Sequence, residues 1–167
     1  AIVLPKAASR VTIEAELAIV IGRACRNVPP AEVAKHLFGF ACAGDVTAAD
    51  LRELDETLGR AKGYDTFAPI GPWIETAVAD PSALSLRLLI NGRPVQEGST
   101  DDMVVAPYAR VSFVSSVMTL LPGDVVLAGS PAGPAVIAPG DEARIEIGDV
   151  GVLINPVRAE ADAAPLQ

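Results

Sequence analysis

The sequence predicts a single-domain, strand-dominated α+β fold, and three observations carry that expectation. Residues 11–22, Val-Thr-Ile-Glu-Ala-Glu-Leu-Ala-Ile-Val-Ile-Gly, alternate with a period of two, the mark of a strand with two different faces. Residues 84–96 fold back at Asn91-Gly92, a pair suited to the positive φ angles of a two-residue hairpin turn. Helical periodicity is confined to short segments that do not alternate regularly with strands, which argues against a doubly wound parallel sheet. At 167 residues and 50% hydrophobic content, the chain is long and apolar enough for one full core.

The first long strand sets Ile13, Ala15, Leu17, Ile19 and Ile21 on one face and Thr12, Glu14, Glu16, Ala18 and Val20 on the other. Glu14 and Glu16 therefore point the same way, their Cα atoms roughly 6.5–7 Å apart. On a solvated face such a pair has no special meaning. Ala18 and Val20 continue this face as apolar residues, however, and burying two adjacent carboxylates calls for a cation between them. Pro29-Pro30 opens a short helix, Ala31–Phe38, that carries His36 on its surface. The apolar run Leu37–Gly44 reads as a buried strand ending at Asp45, an acid that is either an ordinary turn residue or a ligand. Thr47, with Asp50 three residues on, is expected to cap a helix reaching about Leu58. A loop from Gly59 to Gly71 carries Lys62, Tyr64 and Asp65.

After the hairpin, Ala109–Leu120 fits a helix with Val111, Val114, Val117 and Met118 on its inner side. Pro122-Gly-Asp124 and Pro139-Gly-Asp141 are two copies of one turn, leading into strands at 125–127 and 143–147. Gly129-Ser-Pro-Ala-Gly133 is either a plain turn or a loop offering a hydroxyl and backbone N–H groups to a site. Gly151–Val157 is the last strand. The domain is expected to span 1–158, with 159–167 a flexible tail.

Composition narrows the function. A net charge of −8 with scattered basic residues disfavours nucleic-acid binding. Cys25 and Cys42 lie in apolar surroundings and are expected as buried reduced thiols. The single histidine, His36, excludes a histidine-rich zinc site, and no serine sits in a G-x-S-x-G context. No apolar run of eighteen residues and no basic-then-apolar leader is present, so a cytoplasmic protein that binds no membrane is expected.

Five segments, in order, carry a family resemblance. They are Ile13–Gly22 with its E-A-E, Gly44-Asp-Val-Thr-Ala-Ala-Asp-Leu51, Ala61-Lys-Gly-Tyr-Asp-Thr-Phe-Ala-Pro-Ile-Gly-Pro-Trp-Ile74, Gly98-Ser-Thr-Asp-Asp-Met103, and Leu120-Leu-Pro-Gly-Asp-Val-Val-Leu-Ala-Gly-Ser-Pro-Ala-Gly133. Together they resemble the fumarylacetoacetate hydrolase family from about residue 2 to residue 157. The resemblance implies a mixed, folded β-sheet roll, usually a homodimer, that binds Mg²⁺ or Mn²⁺ through three carboxylates. Carried across, the ligands are Glu14, Glu16 and Asp45. Lys62 falls near the substrate, Ser130 on the loop hydroxyl, and Thr66 in a segment that in some members binds a second cation. The implied reaction class is decarboxylation, C–C cleavage or keto–enol isomerisation of a small 2-oxo or 1,3-dicarbonyl acid through a metal-stabilised enolate. An all-oxygen set with three negative charges suits such a hard ion.

The chain departs from the family pattern in three places. The arginine expected at position 49 is Ala49 and the glutamine expected at 52 is Arg52, so Arg52 is expected to present its guanidinium from the same helix face. The T-G-T-P motif has become Ala128-Gly-Ser-Pro131. The upstream region that gives family members a lid, and hydrolases a histidine–glutamate pair, precedes the point where this chain opens. A fragment, a processed chain and a lidless short form all fit. The expected activity is therefore a metal-dependent lyase or isomerase, with Lys62, Arg52 and Ser130 contacting substrate. The alternatives are a non-catalytic paralogue serving a structural or regulatory role, and an acylpyruvate-type hydrolase whose lid comes from missing residues or a partner chain.

Overall fold

The computed structural model describes residues 1–131 and 133–161. Its strands, in chain order, are β1 (Ile2–Leu4), β2 (Val11–Ile21), β3 (Leu37–Ala48), β4 (Ile70–Glu75), β5 (Ser85–Ile90), β6 (Arg93–Ser99), β7 (Val125–Leu127), β8 (Ala135–Ile137), β9 (Glu142–Ile147) and β10 (Gly151–Ala159). The helices are α1 (Ala49–Leu54), α2 (Gly59–Lys62) and α3 (Pro107–Val117), with short 3₁₀ turns that include Pro30–His36. One sheet runs β1-β10-β9-β5-β6 and is mixed, since β1 lies parallel to β10. The other runs β4-β3-β2-β7, with β8 on the same edge of β2 as β7, and is antiparallel throughout. The strand-dominated α+β reading holds. Among the described residues no helix is long and apolar enough to cross a membrane.

The core lies between the sheets. Ile13, Leu17 and Ile19 of β2 and Phe40, Cys42 and Val46 of β3 pack in one cluster with Leu86 and Leu88 of β5 and Ile145 of β9. Gly44 belongs to this layer: a Cβ there would meet Ile13 Cδ1 and Pro69 Cγ at 3.1 Å. The hairpin turns at Asn91 (φ 52°) and Gly92 (φ 77°), as the Asn-Gly pair predicts. The two Pro-Gly-Asp turns are one structure used twice. Asp124 Oδ2 accepts the Leu121 N–H at 2.7 Å, and Asp141 Oδ2 accepts the Ala138 N–H at 2.8 Å. In each the glycine sits at positive φ, 92° at Gly123 and 96° at Gly140.

Several expectations are corrected. β3 does not stop at Asp45 but runs to Ala48, because Val11 and Thr12 of β2 continue to pair with it. Thr47 is therefore a strand residue and not a helix cap. The N-cap of α1 is Ala48, with no side-chain cap, and Asp50 in the first turn accepts from the Ser9 N–H, the Ser9 hydroxyl and the Leu51 N–H. α1 ends at Leu54 rather than Leu58, and the expected 59–71 loop contains α2. The buried side of α3 is Pro107, Val111 and Ser115, while Val117 and Met118 are 60% and 54% exposed. Ser115 turns inward because its hydroxyl and carbonyl accept the N–H groups of Val28 and Asn27. β10 reaches Ala159, which the sequence reading assigned to the tail; pairing with Val3 and Leu4 of β1 carries it that far. Residues 162–167 of the expected tail lie outside the described residues.

Candidate active site

The strand register brings the first acids together. Glu14 stands opposite Asp45 and Glu16 opposite Ala43 across the β2–β3 ladder. Directly opposed antiparallel residues project to the same side, as do residues two apart on one strand. Glu14, Glu16 and Asp45 therefore share one face, opposite the core face of Ile13 and Leu17. Thr12 and Thr47, another opposed pair, extend that face at one end, and Ala18 and Ala41 extend it at the other.

α2 delivers the cation. Lys62 is its last residue, and its ammonium pairs with Asp45 Oδ2 and donates to Thr47 Oγ1 at 3.0 Å. Arg52 of α1 is exposed but lies within electrostatic reach of Glu14, as does Lys62. The structure thus gathers five of the six residues singled out in the sequence around one patch of β2 and β3.

The sixth, Ser130, arrives through a gap in the sheet. β8 pairs with residues 11–13 of β2 and β7 with residues 18–20, leaving residues 14–17 without a strand on that edge. Residues 128–130, Gly133 and one glutamine fill the gap. Ala128 N–H donates to Leu17 O at 2.9 Å, and Gly129 N–H donates to Glu16 Oε2 at 2.6 Å. Gln96, 3% exposed on β6, accepts the Ala15 N–H at 2.9 Å through Oε1. Its Nε2 donates to Ser130 Oγ at 2.7 Å and to Gly133 O at 3.0 Å. Gln96 thus ties the strand between the two glutamates to the Ser130 loop. Sequence reasoning missed it. The available signal was a polar residue at an inward position of β6, opposite buried Leu88.

Electrostatics mark the patch as unusual. Glu16 is only 6% exposed, and burial pushes its pKa up to about 7. The Gly129 N–H works against that rise, whereas the charges of Asp45 and Glu14 add to it. Glu14 is also raised, by burial and then by Asp45, with Lys62 and Arg52 opposing. Among the described residues no three side chains already form a closed metal cage. The donor set nevertheless fits a hard divalent ion: three carboxylates on one face, two of them holding protons more tightly than usual because burial, and then the neighbouring acids, disfavour their charge. His36, the only histidine, lies elsewhere. Its carbonyl accepts the N–H groups of Gly22 and Arg23, about 20 Å along β2 from Glu16 by strand rise.

The profile of the family described as fumarylacetoacetate (FAA) hydrolase C-terminal matches residues 1–158. The chain belongs to this family. It is similar to a 5-carboxymethyl-2-hydroxymuconate delta-isomerase of Mycobacterium smegmatis, whose crystal structure superposes with a TM-score of 0.93 at 44% identity over 96% of this chain and 64% of that one. A maleylpyruvate hydrolase of Sphingobium sp. SYK-6, solved in complex with manganese(II) ion and pyruvate, gives a TM-score of 0.87 at 37% identity over 96% of this chain and 59% of that one. An oxaloacetate tautomerase of Homo sapiens is 38% identical over 93% of this chain and 53% of its own length. Two further curated relatives, 46% and 48% identical, are spanned to 61% and 59% of their lengths. The family's relatives thus include an isomerase, a tautomerase and a hydrolase, which gives the general kind of chemistry.

Proposed function

We propose that this chain is the catalytic domain of a Mg²⁺- or Mn²⁺-dependent lyase or isomerase acting on a small 2-oxo or 1,3-dicarbonyl acid. The observation that carries this reading is the shared face of Glu14, Glu16 and Asp45, with the Lys62 ammonium already at Asp45. Three acids gathered beside a buried strand, one with its pKa near 7, have a physical purpose when a cation completes them. The manganese and pyruvate in the Sphingobium hydrolase support the same assignment.

In this reading Glu14, Glu16 and Asp45 would hold the ion. A hard divalent ion supplies Lewis acidity toward the two oxygens of a chelating oxo acid. The chain's own residues do the rest. Gly129 N–H fixes the orientation of the Glu16 carboxylate. Lys62, braced by Thr47, places a positive charge beside Asp45 where negative charge on a substrate oxygen would develop. Ser130 Oγ already accepts from Gln96, which leaves its proton free to donate toward a substrate. Arg52 adds a second positive charge near Glu14.

The test is calorimetric titration of the metal-stripped protein with Mn²⁺ and Mg²⁺, beside Glu14→Ala. One site is expected in the intact protein and none in the variant. An intact protein that takes up neither ion overturns the reading.

A further inference from the structure

The loop that reaches Glu16 is gripped from two sides. On the β6 side, Gln96 Nε2 donates to Ser130 Oγ at 2.7 Å, and Pro131 lies so close to Gly98 that a Cβ there would meet Pro131 Cγ at 2.9 Å. On the α3 side lies Arg110. A Cβ on Gly129 would meet Arg110 Nη2 at 3.2 Å and Cζ at 3.7 Å. The guanidinium therefore covers the bare Cα of the residue whose N–H donates to Glu16 Oε2. Gly129 sits at φ 90°, a conformation that favours glycine, and the space its side chain would fill is the space the guanidinium takes.

Arg110 is an uncommon arginine. It is half-buried, and its Nε is cut off from water and bonds to nothing among the described residues. In a chain of net charge −8 its guanidinium makes no ion pair among those residues either. An arginine with no role would stay in water or pair with one of the many acids. This one is instead laid against an uncharged Cα, a use that suits a flat, weakly hydrated plate and not a point charge. The helix that carries it is firmly seated. Val111, the next residue, is fully buried, and Ser115 accepts the N–H groups of Val28 and Asn27 through its hydroxyl and carbonyl. A group on such a helix holds its position more precisely than one on a loop.

We infer that Arg110 is a positioning residue for the carboxylate face. Its guanidinium packs on Gly129, Pro131 bears on Gly98 from the other side, and the turn between them is fixed where Gly129 N–H orients the Glu16 carboxylate toward a divalent ion. The inference rests on the function proposed above and adds to that site a residue that need touch neither ion nor substrate.

Calorimetric titration of the metal-stripped protein with Mn²⁺ separates shape from charge. Arg110→Ala is expected to weaken Mn²⁺ binding about tenfold, the scale of one charge-assisted hydrogen bond lost from good geometry. Removing a positive charge near a cation site would by itself do the opposite. Arg110→Gln keeps a flat, uncharged tip and is expected to recover part of the loss, whereas Arg110→Lys keeps the charge without the plate and is not. Gly98→Ala pushes on Pro131 from the other side and is expected to weaken Mn²⁺ as well. The paramagnetic resonance spectrum of bound Mn²⁺ is expected to change in Arg110→Ala, which a loss of stability alone would not produce. If Arg110→Ala melts too low to be titrated, the Arg110→Gln and Arg110→Lys pair decides by the same comparison. Wild-type or tighter Mn²⁺ binding by Arg110→Ala, or recovery by Arg110→Lys and not by Arg110→Gln, overturns the positioning role and leaves the metal reading intact. If the wild-type protein takes up no Mn²⁺, the proposed function falls and this inference falls with it.

Discussion

The two faces of β2 are built from one strand and each carries buried residues, yet they do opposite things. Leu17 is fully buried and Glu16 is 6% exposed, and they are chain neighbours. Leu17 points into the cluster between the sheets, where removing its surface from water is favourable. Glu16 points into a patch with Glu14 and Asp45, where the same loss of water works against its charge. Burial alone therefore says little about what a residue contributes. One face stores stability, and the other gives some of it up to hold three acids together.

Substitutions on the two faces should separate these roles, and the largest effect is expected at Glu16. Glu16→Gln is expected to abolish Mn²⁺ binding and lower kcat/KM by at least about a hundredfold, the scale of losing an electrostatic anchor of the reaction. Metal-free protein carrying that change is nevertheless expected to unfold at a higher temperature than metal-free wild type at pH 8, measured by calorimetric melting. Leu17→Ala should do the reverse. Its expected cost is about 2–5 kcal/mol of stability through a cavity in the core, read from urea unfolding. A Glu16→Gln variant less stable than metal-free wild type would erase the contrast between the faces.

The pH dependence of the metal-free protein sharpens the comparison further. Glu16 titrates near 7 in the fold and returns to its ordinary 4.5 when unfolded. A folded pKa above the unfolded one means that its stabilising contribution is complete below pH 4.5 and is lost as pH rises through 7. Between pH 4.5 and 8 the wild type is expected to lose on the order of 3 kcal/mol that Glu16→Gln does not lose. Urea titrations of both proteins across that range provide the measurement. A smaller effect is expected at the seam between the faces: Gln96→Ala strips a buried N–H at Ala15 of its partner, at a cost of about 1–3 kcal/mol. It should also lower kcat by loosening the Ser130 loop, and steady-state kinetics with a chemical-denaturation curve would read both.

Much of this comparison was legible in the chain, and the limits of that legibility follow sequence distance. Period-two alternation is a property of neighbouring residues, so it put Glu14 and Glu16 on one face before any partner strand was known. The Asn-Gly hairpin and the paired Pro-Gly-Asp turns were equally readable, because φ preferences act within a few residues. Errors arose where a distant partner overrode local preference. Thr47 has the chemistry of a helix cap, yet pairing with β2 keeps it in a strand, where it braces Lys62. Valines spaced along α3 suggest an apolar inner stripe, yet the loop at Asn27 and Val28 needs hydrogen-bond partners and draws Ser115 inward.

By itself the sequence determined the strand-rich class, the two-faced strand, the turns and the identity of the acids, all of which depend on short-range geometry and on resemblance carried by local motifs. Only the tertiary structure decided that Asp45 faces Glu14, that Gly129 clasps Glu16 from 113 residues away, that Gln96 reaches Ala15 across 81, and that Arg110 lies against Gly129. The reason is physical. Register and loop position are set by the joint burial of two sheets, and no single stretch of chain contains the free energy that selects them.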